Sequence, residues 1–209
     1  AAHGYDIALN YNSGRERAEA IAQELRQQHG VEVLTLAADL SQTEAAFELV
    51  DRTFAHFGRL DVAISNSGVS NLLRDAQGQV VRYRFHETPI DHLDQEMEQV
   101  LSVNLMGAYR LAQRSLKHML DQAQAELQAG AQPLHRSILL ITSISDVAPD
   151  STRIPYGVSK AAVNHVVLGA AFEGGPYNIT VNALRPGGVD TPMTARLSGV
   201  RDEKSGREL

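Results

Sequence analysis

Short apolar runs and amphipathic helical stretches alternate along this chain with links of only a few residues, and that rhythm restricts its fold more than any other feature. Asp6-Ile-Ala-Leu-Asn-Tyr11 reads as a short buried strand. Asn12-Ser-Gly14 then opens a helix whose Ala18, Ile21, Ala22 and Leu25 make one apolar face, and His29-Gly30 ends it. Residues 32–37 form the next strand. Ser41-Gln-Thr-Glu44 has the form of a capping box, and Phe47, Val50, Phe54 and Phe57 follow at helical spacing until Gly58 stops the helix. Residues 60–65 are a third strand, which runs into Asn66-Ser-Gly68. A long helix from about 94 to at least 120, a strand over 137–142, a helix over 153–172 and a strand over 178–184 complete the series. Strands and helices in alternation pair in parallel through right-handed crossovers, so the expected class is α/β with a parallel sheet. No linker-like composition interrupts residues 1–209, and one domain suffices.

Two segments stand outside this rhythm. Residues 71–85 contain Asp75-Ala-Gln-Gly78, a turn signal, followed by Val81, Tyr83 and Phe85 alternating with Arg82 and Arg84. This reads as a projecting hairpin or as a surface loop. Residues 121–135, rich in Gln and Ala, extend the long helix and loop back through Gly130 and Pro133.

The chemistry concentrates in Tyr156-Gly-Val-Ser-Lys160, with Ser143 thirteen residues before the tyrosine. Residues four apart share a helix face, so the phenol of Tyr156 and the ammonium of Lys160 project into one place. A phenol has a reference pKa of about 10, and a cation within roughly 4–6 Å favours its ionised form. Ser143 closes an apolar strand, at the strand end where open α/β sheets gather ligands. One hydroxyl would polarise a carbonyl while the other passes it a proton. Such a pair also arises by chance on amphipathic helices, so its company along the chain carries the argument.

Composition excludes several classes. With 43% hydrophobic and 21% charged residues the chain has the balance of a globular protein, and its net charge of −6 disfavours nucleic acid and anionic membranes as partners. There is no cysteine, and the eight histidines are scattered without metal-ligand spacing, so no metal site is expected. No run approaches membrane-spanning length and no signal pattern opens the sequence, which points to the cytoplasm.

In this order the motifs resemble those of the short-chain dehydrogenase/reductase family across nearly the whole chain. Ser65-Asn66-Ser67-Gly68 is similar to the family's Asn-Asn-Ala-Gly signature, with serine in place of its first asparagine and its alanine. Val103-Asn104-Leu105 matches the family's helix asparagine, and Ser143, Tyr156 and Lys160 match its catalytic three. Pro186-Gly187, with Val189 and Thr191, resembles the turn at the nicotinamide end, and Asp39-Leu40 the acidic stretch that contacts the adenine. Read singly, Asn104 could be a packing residue, Pro186-Gly187 a simple turn, and Asp39 a helix-initiating residue beside Ser41.

The resemblance implies a three-layer, Rossmann-type doubly wound parallel sheet and hydride transfer between a nicotinamide cofactor and a carbonyl or secondary alcohol. It assigns Tyr156 as proton donor, Ser143 as the group orienting the carbonyl, Lys160 as the residue that lowers the phenol pKa and binds the nicotinamide ribose, and Asn104 as the link from Lys160 to solvent. Asn10, Tyr11, Asn12 and Ser13 lead out of the first visible strand with no carboxylate, and Arg15 and Arg17 stand close by. An acidic residue there would favour NAD, so its absence points to NADP(H), with NAD(H) the alternative. The partner is a small carbonyl or alcohol, from the 3-oxoacyl-thioester or the sugar and polyol class. A homotetramer or homodimer packed through the two long helices is implied. The other reading is a catalytically idle protein of the same fold that senses the cofactor or serves as a scaffold.

The sequence departs from the family at both ends. The first strand, the glycine-rich turn and the last strand have no counterpart, and Ala1-Ala-His-Gly4 reads as the tail of the first helix. In strand order 3-2-1-4-5-6 the absent strand lies between the second and fourth, so the expectation is a sheet cut in two and a polypeptide longer than these 209 residues.

Overall fold

The computed structural model describes residues 1–70, 73–74, 77–78, 80–148 and 150–191. Among them the elements run β1 (Ile7–Tyr11), α1 (Arg15–His29), β2 (Val33–Ala37), α2 (Thr43–Phe57), β3 (Val62–Ser65), α3 (Ile90–Leu101), α4 (Ala108–Gln128), β4 (Arg136–Ile141), α5 (Ile154–Gly174) and β5 (Ile179–Leu184). Every strand pairing is parallel, with Ile7 opposite Val33, Val62 opposite Ser137, and Arg136 opposite Ile179. The strands form two sheets, β1-β2 and β3-β4-β5, and no pairing joins β1 to β3 among the described residues. This is the division that the strand order implied.

One apolar core bridges the gap. Leu36 from β2, Leu49 from α2, Met119 from α4, Ile138 and Leu140 from β4, Val163 from α5 and Ile179 from β5 belong to a single buried cluster. Helices α2, α4 and α5 therefore cover one face of both sheets, while α1 covers β1 and β2 on the other through Ala22 and Val33. The period-two alternation is plain in β3, where Ala63 and Ser65 are buried and Val62 and Ile64 are exposed. Two helix ends fall where glycine was read as a stop. Gly30 and Gly58 take the left-handed conformation at φ 66° and 69° and return their N–H groups to Arg26 and Phe54.

Several local expectations are corrected. The capping box at Ser41 does not form: α2 has Gln42 as its N-cap and no side-chain cap hydrogen bond. The reason lies upstream, where Asp39 Oδ1 accepts the Ser41 N–H at 2.9 Å and turns the chain in its own Asx loop. The buried stripe of α2 is Ala46, Leu49, Val50 and Thr53, with the phenylalanines flanking it. In α1 Ala18 and Ala22 are buried, while Ile21 sits at the exposed margin. Ala1 to Gly4 forms one hydrogen-bonded turn that closes at Gly4 in the left-handed region, φ 79°.

The long helix is continuous from residue 90 to residue 128, but a π segment, Ser102–Gly107, separates α3 from α4. In the 71–85 region Arg74 and Val80 form an isolated antiparallel bridge and Val81 N–H donates to Leu73, so the chain does double back there. No named strand flanks that bridge among the described residues, and Asp75 and Ala76 of the turn motif lie outside them. No helix is long and apolar enough to cross a membrane among the described residues.

Candidate active site

Parallel strands bring their carboxyl ends to one side of a sheet, and the sequence motifs sit in the links that leave those ends. At the end of β4, Thr142 N–H and hydroxyl both reach the Leu184 carbonyl of β5, at 2.8 and 3.2 Å. Ser143 then caps a single 3₁₀ turn, Ile144–Asp146: its hydroxyl accepts the Ser145 N–H at 3.2 Å and donates to Ser145 Oγ at 3.3 Å. Ile144 N–H donates to the Pro186 carbonyl at 3.0 Å, which sets the Pro186-Gly187 turn beside Ser143.

Helix α5 lies against that turn. Proline in its first turn starts the helix without wasting an N–H, and Gly157 permits the contact, because a Cβ there would stand 3.0 Å from the Ser145 carbonyl oxygen. Lys160 follows Tyr156 by one helical turn. It is 4% exposed, its Nζ donates to the Ile141 carbonyl at 2.8 Å, and that nitrogen is 5.7 Å from the centre of the Tyr156 ring. Burial disfavours the charged amine and lowers its pKa from 10.5 to about 8.

Asn104 lies in the π segment, the kind of helix irregularity that often marks a functional site. The residue is 1% exposed. Its Oδ1 accepts the Val69 N–H at 2.8 Å, and its Nδ2 donates to the Val69 carbonyl at 2.9 Å and to Ser159 Oγ at 3.1 Å. The Ser159 hydroxyl in turn donates to the Tyr156 carbonyl at 2.7 Å. Asn104 thus clasps the link after β3 to the helix that carries Tyr156 and Lys160. Gly68 fits between these groups: a Cβ would lie 3.3 Å from Asn104 Oδ1 and 3.6 Å from Lys160 Nζ.

Asn104 and Gly68 thus reach α5 at Ser159 and Lys160, while the turn that holds Ser143 beside Pro186 reaches α5 through the Ser145 carbonyl against Gly157. Asn66 and Ser67 are exposed beside Gly68, and Gly187 and Val189 are exposed beyond Pro186. At the other end Asn10 Nδ2 donates to the carbonyls of Leu36 and Ala38, at 3.2 and 3.1 Å, and so ties the end of β1 to the link after β2. Tyr11 accepts the Ala38 N–H at 2.9 Å, and Asn12 and Ser13 are exposed just beyond it. Asp39 is half-buried in its loop, whereas the Leu40 side chain belongs to the core and its carbonyl lies against Gly107.

Sequence reading missed Asp146. Its carboxylate side chain is 1% exposed, and one oxygen accepts from Asn164 Nδ2 on α5 and from Arg185 Nε at 2.8 Å. One buried acid therefore links the Ser143 turn, the Tyr156 helix and the stretch leading into Pro186-Gly187. The three partners are far apart in sequence, and only a polar side chain three residues after Ser143 hinted at it.

The residues present fit a nicotinamide dinucleotide. Gly68 leaves backbone open against Asn104 and Lys160, and exposed strand-end links supply hydrogen-bonding groups from both the β1-β2 and the β3-β4-β5 side. Fold and site together define an oxidoreductase of the Rossmann type. The family model for short chain dehydrogenases matches residues 1–201, and the chain belongs to the short-chain dehydrogenase/reductase family of NAD(P)-dependent oxidoreductases. Among similar proteins, a 3-oxoacyl-acyl-carrier-protein reductase of Staphylococcus epidermidis is 29% identical over 200 residues, covering 95% of this chain and 70% of the relative. The solved 3-oxoacyl-acyl-carrier-protein reductase of Brucella melitensis in complex with NAD shares 28% identity at a TM-score of 0.75, with 94% of this chain and 69% of that one covered. An acetoin dehydrogenase of Salmonella typhimurium shares 27% identity at a TM-score of 0.74, with 92% and 66% covered. The chain thus spans about two thirds of the length of these structures.

The buried amine has a measurable consequence. Between pH 8 and 10.5 the unfolded chain keeps the Lys160 proton that the folded chain releases, so stability rises with pH across that window, and the full burial penalty applies below it. Urea unfolding of wild type and Lys160→Met at pH 7, 9 and 10.5 should show wild type gaining on the variant by up to ~3 kcal/mol as pH rises. A difference independent of pH would mean that the amine is not desolvated.

Proposed function

We propose that this chain transfers a hydride between a nicotinamide cofactor and the carbon of a small carbonyl or secondary alcohol, with Tyr156 as the proton donor in one direction and acceptor in the other. The observation that carries this reading is the buried Lys160 amine, 5.7 Å from the Tyr156 ring, on a helix whose Gly157 packs against the Ser143 turn. The phenol and the ammonium share α5, and the Ser143 hydroxyl lies in the turn packed on that helix, which supports the set of groups that carbonyl reduction uses. When bound, the cofactor supplies or takes the hydride.

Ser143 orients the carbonyl oxygen through its hydroxyl. Lys160 stabilises negative charge that develops on the Tyr156 oxygen and donates to the ribose at the nicotinamide end. The Asn104 carboxamide is already engaged by Val69 and Ser159, so its part in a path from Lys160 to solvent falls to the backbone of the widened π segment. Pro186, Gly187, Val189 and Thr191 line the nicotinamide side, Asn66, Ser67 and Gly68 the centre, and Asp39, Leu40 and residues 10–13 the adenosine side. All act within one dinucleotide-binding domain.

Cofactor choice is read from charge. The link after β1 carries no carboxylate, and Arg15 and Arg17 are exposed on the first turns of α1, which favours a 2′-phosphate and hence NADP(H) over NAD(H). Assembly is read from surface. On α5 Phe172 is 89% and Leu168 66% exposed, and Tyr109 and Met106 are exposed along α4 and the segment before it. Apolar side chains at that density along two long helices favour a homodimer or homotetramer that covers them.

Three measurements test these readings. Tyr156→Phe should reduce turnover of a carbonyl panel below detection and leave the far-ultraviolet spectrum and unfolding midpoint unchanged; turnover at the wild-type rate would remove the phenol from the reaction. The ratio of kcat/KM for NADPH over NADH should exceed ~10, and a preference for NADH would reverse the cofactor assignment. Sedimentation equilibrium at micromolar protein should give a dimer or tetramer that Phe172→Asp dissociates, whereas a wild-type monomer would refute assembly through this face.

A further inference from the structure

Arg153 stands immediately before α5, three residues ahead of Tyr156, and its pose is fixed by one carboxylate. Asp150 Oδ2 accepts from Arg153 Nε at 2.7 Å, while Asp150 Oδ1 accepts from the backbone and the hydroxyl of Thr152 at 2.9 and 2.7 Å. Both carboxylate oxygens are therefore engaged. The Arg153 side chain is 20% exposed, and its guanidinium carbon lies 5.6 Å from the centre of the Tyr156 ring. Because Asp150 takes Nε alone, the two terminal nitrogens of Arg153 make no hydrogen bond among the described residues. They form a planar fork whose geometry matches a carboxylate.

A second guanidinium lies in the same place. Arg82 Nε and Nη2 are buried and have no hydrogen-bond partner among the described residues. Asp150 and Glu96 attract this side chain and Arg153 repels it, so it shares their surroundings, and burial lowers its pKa below the ordinary arginine value. Buried guanidinium nitrogens without acceptors are costly, and the cost is relieved when an anion arrives. Beside them Val81, Tyr83, Leu93, Thr152, Ile154 and Pro155 line a cavity that adjoins the turn carrying Tyr156. Its walls mix these apolar side chains with Thr88, Ser151, Thr152 and the Glu96 carboxylate, so the two guanidiniums are the groups there that an acid would seek.

We propose that Arg153, assisted by Arg82, binds a carboxylate on the substrate, so that this chain acts on small oxo acids and the matching hydroxy acids. The proposal rests on the reading of Tyr156 as the proton donor to the substrate carbonyl, and adds the acid group a few bonds away. Arg153 is then the residue that selects charged substrates over neutral ketones, and Asp150 is the residue that aims it.

The test compares 2-oxobutanoate, 3-oxobutanoate and 4-oxopentanoate, each against its methyl ester, with NADPH and the full chain. For at least one pair the acid should exceed the ester in kcat/KM by about 10- to 100-fold, the worth of hydrogen bonds to a charged group. Arg153→Met should reduce that acid-to-ester ratio by at least ~10-fold, Arg82→Met by less, and Arg153→Lys should restore part of it. The ratio is measured within one preparation, so it does not depend on the fraction folded. Esters equal to or better than acids in all three pairs, or a ratio unchanged in Arg153→Met, would overturn the proposal. If neither acids nor esters turn over, the oxidoreductase reading is what fails. Calorimetric titration with the same acids and esters then decides the anion site: acid binding lost in Arg153→Met upholds it, and no preference for acid over ester rejects it.

Discussion

The ammonium of Lys160 is the constraint on which the site depends. A charge removed from water needs a partner, and here the acceptor is the carbonyl of Ile141, the last residue of β4. That single bond fixes α5 against the strand end. Ser143 follows Ile141 by two residues and Tyr156 precedes Lys160 by one helical turn, so both hydroxyls are placed by the same joint. Beneath it Ile138, Leu140 and Val163 are almost wholly buried, and close packing leaves the joint little freedom to shift.

Polar side chains tie the surrounding elements where backbone ladders do not reach. Asn104 joins the link after β3 to α5, Asp146 joins the Ser143 turn to α5 and to Arg185, and Asn10 joins the ends of β1 and β2. Each side chain satisfies backbone or side-chain groups from at least two segments. Packing residue and site residue are thus the same thing at Asn104: it shapes the site by holding Val69 and Ser159. Both ends of the Asn104 carboxamide are satisfied, whereas at Asp146 Oδ2 takes both partners and the buried Oδ1 has none among the described residues.

The alternation of apolar runs and amphipathic stretches made the order and type of the main elements legible, because period two and period 3.6 are written locally. Glycine stops at 30 and 58 were legible for the same reason, since only the left-handed conformation was at issue. The Tyr156–Lys160 pair was readable as a helical spacing and Ser143 as a strand end. What stayed hidden depends on competition or on distant partners. Asp39 captured the Ser41 N–H and defeated a capping box that the sequence alone favoured. The π segment at 102–107 leaves no mark in the hydrophobic pattern. Asp146, Asp150 and Arg153 carry no local signal, because their contacts form only when the fold sets them around α5.

Three glycines show how much of this architecture is defined by missing atoms. A Cβ at Gly107 would stand 2.8 Å from the Leu40 carbonyl oxygen, one at Gly157 3.0 Å from that of Ser145, and one at Gly68 3.3 Å from the Asn104 carboxamide. At these seams main chain runs directly against its neighbour, so the fit is determined by bare backbone and no functional group reveals it. Alanine, which elsewhere truncates a side chain, is an addition at such positions. A single added methyl group would force main chain to shift at Gly107 and press on its neighbours at Gly157 and Gly68, so residues that carry no chemistry of their own set the fit of these seams.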